Sequence, residues 1–195
     1  MLSYKQQFFK RLFDLALSTI LLIPSILLIL LMAILLALRT LKFPFFIQKR
    51  IGKEGKAFKL IKIRTLFTQD EIETFPPEAK LKLSRYIRQH KLDELPQIMQ
   101  IWIGQMSFVG PRPDLPGYLD RVEEKYQKLW TLKPGLTGPA TLKYKNEDEI
   151  LLKQNHPEQY NDQVIWPDKL GINLTYFENY SFWSDLNILI KSVTK

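Results

Sequence analysis

The hydropathy pattern is dominated by a charge-free apolar run over residues 15–38. A run of this length can cross a bilayer as a helix and is too long for a cleavable signal peptide. Before it, Lys5, Lys10 and Arg11 are interleaved with Phe8, Phe9, Leu12 and Phe13 in a basic amphipathic stretch. Pro24, beside Ser25, interrupts the run, and a proline removes a helical hydrogen bond and kinks the helix. After the run, Arg39 to Arg64 hold nine basic residues and one acid, Glu54. Positive flanks prefer the cytoplasm, so a straight span places one flank on the wrong side. A helix that enters, bends at Pro24 and Ser25 and returns to the same face removes the conflict. A straight anchor is the alternative on charge alone.

Downstream the pattern changes to short elements. Residues 42–56 are turn-rich and basic, with Pro44, Gly52 and Gly55. Residues 57–66, AFKLIKIRTL, read as a strand bounded by turn signals, with Lys62 and Arg64 on one face at period two. Those two cations suit phosphate, or equally an anionic membrane surface. A polar, acidic loop is expected at 67–77. A basic helix follows at 78–90, carrying Lys80, Lys82, Arg85 and Arg88, at the membrane interface or as a solvated face. The string Lys91-Leu92-Asp93-Glu94-Leu95-Pro96-Gln97 comes next. Its proline suits the first turn of a helix, so Asp93 is expected as N-cap of a helix running from Glu94 to about Gly104. Residues 115–132 have an amphipathic helical pattern, 143–170 are polar and irregular, and 172–180 and 182–190 are apolar enough to pack back as terminal helices. The fold class is α+β, mostly helical: an N-terminal re-entrant membrane helix hairpin over 1–40, then interfacial amphipathic helices and a small β element in one continuous unit over 41–195.

Composition narrows the chemistry. The 195 residues carry a net charge of +8 and no cysteine, so anionic partners are expected and disulfides and cysteine-held metals are excluded. The two histidines, His90 and His156, have no zinc-site spacing. A nucleic-acid partner rests on charge alone, with no recognition motif to support it.

Asp93 and Glu94 are the candidate chemical groups. A helix N-terminus favours negative charge, so both are expected ionised, which suits a nucleophile or metal ligand. An acidic helix cap is the plain alternative. Arg112 lies between Pro111 and Pro113 in a stiff turn, a geometry that suits a bidentate phosphate clamp. Pairing with a protein acid is the alternative there. Lys133-Pro134-Gly135-Leu136-Thr137-Gly138-Pro139 is a second rigid turn, whose glycines let backbone approach a ligand closely.

In order, FFIQKRIGKEGKAFKLIKIRTL, LDELPQ, MSFVGPRP, KPGLTG and the closing YFENYSF resemble the bacterial sugar transferase family, the small monotopic phosphoglycosyl transferases. The resemblance covers roughly residues 8–190, is most specific from Leu92 to Pro113, and is similar in size to the minimal catalytic unit, without the extra N-terminal membrane helices of larger members. It implies transfer of a sugar phosphate from a UDP-sugar to polyprenyl (undecaprenyl) phosphate, giving polyprenyl diphosphate sugar and UMP. Such a step initiates capsule, exopolysaccharide, O-antigen or glycoprotein glycan assembly at the cytoplasmic face of the bacterial inner membrane. By the same resemblance, Asp93 attacks the β-phosphorus to form a covalent intermediate, and Glu94 binds Mg²⁺. Arg88, Arg112 with Pro111 and Pro113, Lys59, Lys62 and Arg64 match basic or rigid positions of the family, and membrane lipid is a partner.

Three positions depart from the family pattern. The membrane break is Pro24-Ser25 rather than Ser-Pro. Lys145 stands for an arginine. Asn173 stands where an aspartate is common, with Asp168 as a substitute. A catalytically inactive membrane scaffold is the alternative function. The transferred sugar, the pathway and homodimer formation are left open.

Overall fold

The computed structural model describes residues 2–68 and 77–194, without the side chains of 77–81. Most of the loop expected at 67–77, and the side chains of Lys80 and Leu81, therefore lie outside the described residues. The architecture is mostly helical with two small sheets.

Helix α1 spans Tyr4–Thr40, 37 residues, about 55 Å if straight. Its N-terminus carries a capping box between Ser3 and Gln6. It is long and apolar enough to cross a membrane, with a mean hydropathy of 3.1 in its most apolar window. The expected break at Pro24 and Ser25 is not found: the helix is continuous, with Pro24 inside it. Proline costs one hydrogen bond, whereas unwinding a turn among apolar residues would expose several unpaired backbone groups.

One stripe of α1 is buried. It runs through Lys10, Asp14, Ser18, Ser25, Ile29, Met32, Leu36 and Thr40, at the three-to-four-residue spacing of a single helix face. Ile20, Ile23, Leu27, Leu31, Ile34 and Leu38 on other faces are exposed. The first half of the stripe meets the C-terminal helices. Lys10 Nζ lies 2.5 Å from Asp185, which also accepts from the Tyr176 hydroxyl. Arg11 donates to the carbonyls of Ile101 and Trp102, each at 2.7 Å. Two of the three cations before the apolar run are thus spent on the protein, and no ion pair is found for Lys5 among the described residues. The second half, Ile29, Met32 and Leu36, packs with Ile63 and Ile87. Both halves of α1 are therefore held by the same folded unit.

Strands β1 (Phe45–Ile51) and β2 (Ala57–Ile63) form an antiparallel hairpin. The segment expected to be only turn-rich thus contains a strand, joined to β2 by the 3₁₀ turn Lys53–Gly55. Helix α2 is Pro77–Gln89, and α3 is Gln97–Trp102. Strands β3 (Ser107–Val109) and β4 (Gly135–Thr137) pair in parallel. The helix expected over 115–132 is instead a series of short turns, including α4 (Glu124–Gln127), because Gly117 takes a positive φ of 100° and the backbone is extended at Val122 and Glu123. Short helix α5 (Pro139–Lys143) follows β4; α6 (Glu147–Leu152) and α7 (Pro157–Tyr160) then give structure to the segment read as irregular, before α8 (Trp166–Glu178) and α9 (Phe182–Thr194).

The glycines of the 133–139 turn serve packing rather than ligand approach. A Cβ on Gly135 would collide with the backbone of Gly110, and one on Gly110 with the carbonyl of Lys133. The two rigid turns lie backbone on backbone, tied by Gly135 N–H to Pro111 O at 2.8 Å.

Breaking the buried Lys10–Asp185 pair by Asp185→Leu is expected to cost about 3–5 kcal/mol, because it strands a buried ammonium. The double variant Lys10→Met, Asp185→Leu should recover most of that loss in thermal melts in detergent. Equal melting of the single and double variants would remove the pair from the account of how α1 is held.

Candidate active site

The Asp93–Glu94 pair sits on a 3₁₀ turn, Leu92–Glu94. The expected capping geometry is corrected here: Asp93 is not the N-cap of α3, which starts at Gln97 after Pro96. Lys91 adopts left-handed backbone, φ 53°, and ends α2. In a 3₁₀ turn residues three apart eclipse. Leu92 and Leu95 accordingly share a side and pack on the Ile29–Met32–Leu36 cluster of α1. Glu94 faces β2 and the Pro111–Pro113 turn.

Glu94 gathers the site. Its Oε1 accepts from Lys62 Nζ at 2.6 Å and from Arg112 Nη2 at 3.2 Å. Its side chain is only 13% exposed. Burial pushes its carboxyl up, but Arg112 and Lys62 outweigh that and hold it below the ordinary glutamate range. Asp93 differs. Burial, and then the neighbouring Glu94 charge, raise its carboxyl above the ordinary aspartate value, while Lys62 and Arg88 pull weakly the other way. The adjacent carboxylates are thus pushed apart, whereas both were expected to behave alike.

Each partner is positioned by distinct contacts. Gln100 of α3 acts as an extra strand edge for β2, donating to Lys59 O at 2.7 Å and accepting from Ile61 N–H at 3.1 Å. This fixes the register that brings Lys62 over Glu94. Arg112 is fixed by the glycine turn beneath Pro111 and by β3, whose Ser107 hydroxyl and Phe108 N–H donate to Asp14 of α1. Arg50, which the sequence did not single out, donates to Pro113 O at 3.2 Å and to Gln48 Oε1. Together Arg50, Lys62, Glu94, Arg112 and Gln97 line one small cleft. It holds three cations and one carboxylate. Asp114 follows the turn, and burial pushes its carboxyl up to about 7 against Lys169, Arg50 and Arg112.

The other expected residues are placed differently. Arg88 ion-pairs with Asp148 at 3.1 Å while remaining close enough to act on Asp93. Arg64 lies past the end of β2, its guanidinium 5.6 Å from the Phe67 ring centroid. Lys59 is exposed, at the opposite register from Lys62, and no contact with the carboxylates is found for it among the described residues. Lys145 is exposed in the turn after α5 and likewise has no such contact among the described residues. Asp168 binds Lys143 Nζ and the Tyr144 hydroxyl, both at 2.7 Å. Asn173 is buried with its Oδ1 unpartnered, so the two do not form one site.

A sequence profile described as "Bacterial sugar transferase" matches residues 5–195. The chain belongs to the bacterial sugar transferase family. An uncharacterized sugar transferase, EpsL, of Bacillus subtilis is 35% identical over 189 residues, covering 95% of this chain and 86% of that protein. A UDP-glucose:undecaprenyl-phosphate glucose-1-phosphate transferase of Klebsiella pneumoniae is 31% identical, over 96% of this chain and 40% of its own length. A UDP-galactose-lipid carrier transferase of Erwinia amylovora is 29% identical, over 97% of this chain and 40% of its own length. The chain thus spans less than half of these two longer relatives.

Asp93→Asn in this transferase should raise the melting temperature at pH 8, because it removes a buried charge beside Glu94. The sign follows from the raised folded pKa, which favours the protonated folded state. The penalty on wild type is therefore full above that pKa and gone below the ordinary aspartate value. The gain should shrink as pH falls through that window, measured by differential scanning fluorimetry. A gain independent of pH would contradict this account of Asp93.

Proposed function

We propose that the chain transfers a sugar phosphate from a UDP-sugar to a polyprenyl phosphate, releasing UMP, by way of a phosphosugar intermediate on Asp93. The observation that carries this reading is the pairing of a buried, uncommitted carboxylate, Asp93, with Glu94, whose charge is already held by Lys62 and Arg112. One acid is free to react and the other is engaged.

In the first step an Asp93 carboxylate oxygen attacks the phosphorus bearing the sugar. The bond from that phosphorus to the bridging oxygen breaks, and UMP leaves with the electron pair. In the second step a polyprenyl phosphate oxygen attacks the same phosphorus and Asp93 departs as carboxylate. Splitting the exchange replaces one difficult encounter of two anions with two displacements at a fixed nucleophile. Arg112, Lys62 and Arg50 supply fixed positive charge where the diphosphate and the departing UMP carry negative charge. Arg88 is available to exchange its exposed Asp148 partner for a phosphate oxygen.

A magnesium ion fits the residues present. Both cations sit on Glu94 Oε1, and Oε2 has no protein donor among the described residues. No cluster of three acid or imidazole groups occurs among the described residues. A divalent ion would therefore take one or two carboxylate oxygens and complete its shell from the diphosphate and water, the ordinary habit of magnesium. When bound, it supplies Lewis-acid stabilisation to the diphosphate.

Both halves of α1 dock on one folded unit, which supports attachment from a single face of the membrane. We read that face as the cytoplasmic side of the inner membrane, with the exposed apolar side of α1 in lipid. Single cysteines placed at residues 1–8 and 45–55 should be labelled from the same side, and labelling from opposite sides would leave a straight span.

The decisive assay is UMP release from a panel of UDP-sugars with undecaprenyl phosphate and Mg²⁺. Wild type should release UMP with at least one donor, and Asp93→Asn should abolish both turnover and the trapped phosphosugar adduct. Lys62→Ala should lower kcat roughly 10²-fold. An adduct on another residue would remove Asp93 as nucleophile. Full complementation of a deletion strain by Asp93→Ala, Glu94→Ala would favour an inactive scaffold.

A further inference from the structure

Gln97 is the first residue of α3, three positions after Glu94. Its side chain is almost completely shielded, with 3% of the residue exposed, and it borders the cleft shared by Arg50, Lys62, Glu94 and Arg112. Its amide nitrogen, Nε2, is buried and has no hydrogen-bond partner among the described residues. An unmet buried donor destabilises the fold, so a chain gains nothing by keeping it unless something else fills the bond. Gln100, one turn later and equally buried, uses both ends of its amide on β2. The contrast between the two glutamines on one short helix is therefore specific to position 97.

We infer that Gln97 is a substrate-binding residue whose amide donates to a non-bridging phosphoryl oxygen of the diphosphate in this cleft. This rests on the reading of the cleft as the donor site. The chemistry of the position explains the residue type. Three cations already converge there, and a fourth would repel a divalent ion at Glu94. An acid would repel the diphosphate. A neutral amide donates to a phosphoryl oxygen without either penalty. Its backbone is fixed by the Pro96 junction and its side chain is packed, so little freedom is lost when a turn of the terminal amide brings Nε2 to the ligand.

The test uses the full-length chain in detergent or nanodiscs with Gln97→Met and Gln97→Glu. Three quantities are measured: the melting temperature, the affinity for UDP by thermal shift, and UMP release from the wild-type donor. Gln97→Met should melt at or above the wild-type temperature, since it removes an unmet donor, while UDP affinity and kcat/KM fall roughly tenfold or more. Gln97→Glu should lose more than Gln97→Met, through repulsion of the diphosphate. UDP affinity and turnover of Gln97→Met within twofold of wild type would overturn the inference, because the amide would then be only a tolerated orphan. A clear drop in the melting temperature of Gln97→Met would overturn it too, because the amide would then have a partner within the protein. Absence of UMP release by wild type with every donor would sink the transferase reading itself, a result separate from either outcome at Gln97.

Discussion

The Glu94 carboxylate is the interaction on which the site depends. One oxygen receives Lys62 from the hairpin and Arg112 from the proline turn. Those residues belong to segments with no direct backbone pairing to the 3₁₀ turn that carries Glu94. The ion pairs are partly buried, so they are less screened than surface pairs and cost more to form. The cost is offset by preorganisation, because donors already converging on one anion need little rearrangement to meet a second. The same convergence leaves Asp93 without an ion-pair partner among the described residues, and burial, then the Glu94 charge, raise its carboxyl above the ordinary aspartate value.

Much of the site was legible because its local chemistry is written in adjacent residues. Leu92 and Leu95 bracket the two acids, and that spacing alone turns the acids away from the apolar side. Pro111 and Pro113 announce a stiff Arg112. What was not legible depended on partners far along the chain. Lys10 and Arg11 read as flanking charges of a membrane segment, but their partners lie 175 and 90 residues away. Strand β1 was missed because FFIQKRI shows no clean alternation and only its hairpin partner gives it a face. The glycines at 135 and 138 read as ligand-approach positions, whereas they let two turns touch. Gln97 gave no signal at all, since an unmet amide is a property of surroundings and not of a motif.

The long helix was half legible. Its length and apolarity follow directly from composition, and its continuity through Pro24 does not. The sequence also gives no hint that one face of it, from Lys10 to Thr40, is a protein interface rather than a lipid surface. That face carries Asp14, which anchors β3 just ahead of the Arg112 turn, and Met32 and Leu36, which lie in the cluster that seats the Leu92–Leu95 turn. The helix is an anchor and also a structural beam for both halves of the site.

The seating of Leu92 and Leu95 against that beam gives the enzyme a built-in depth gauge. Each residue along a helix advances the chain by about 1.5 Å and turns it by about 100°. The height of the Asp93–Glu94 turn along α1 is therefore set in discrete notches by the count of residues between the exposed apolar side chains and Ile29. Shortening or lengthening that count by one would rotate the seat away from Leu92 and shift the carboxylate vertically at once.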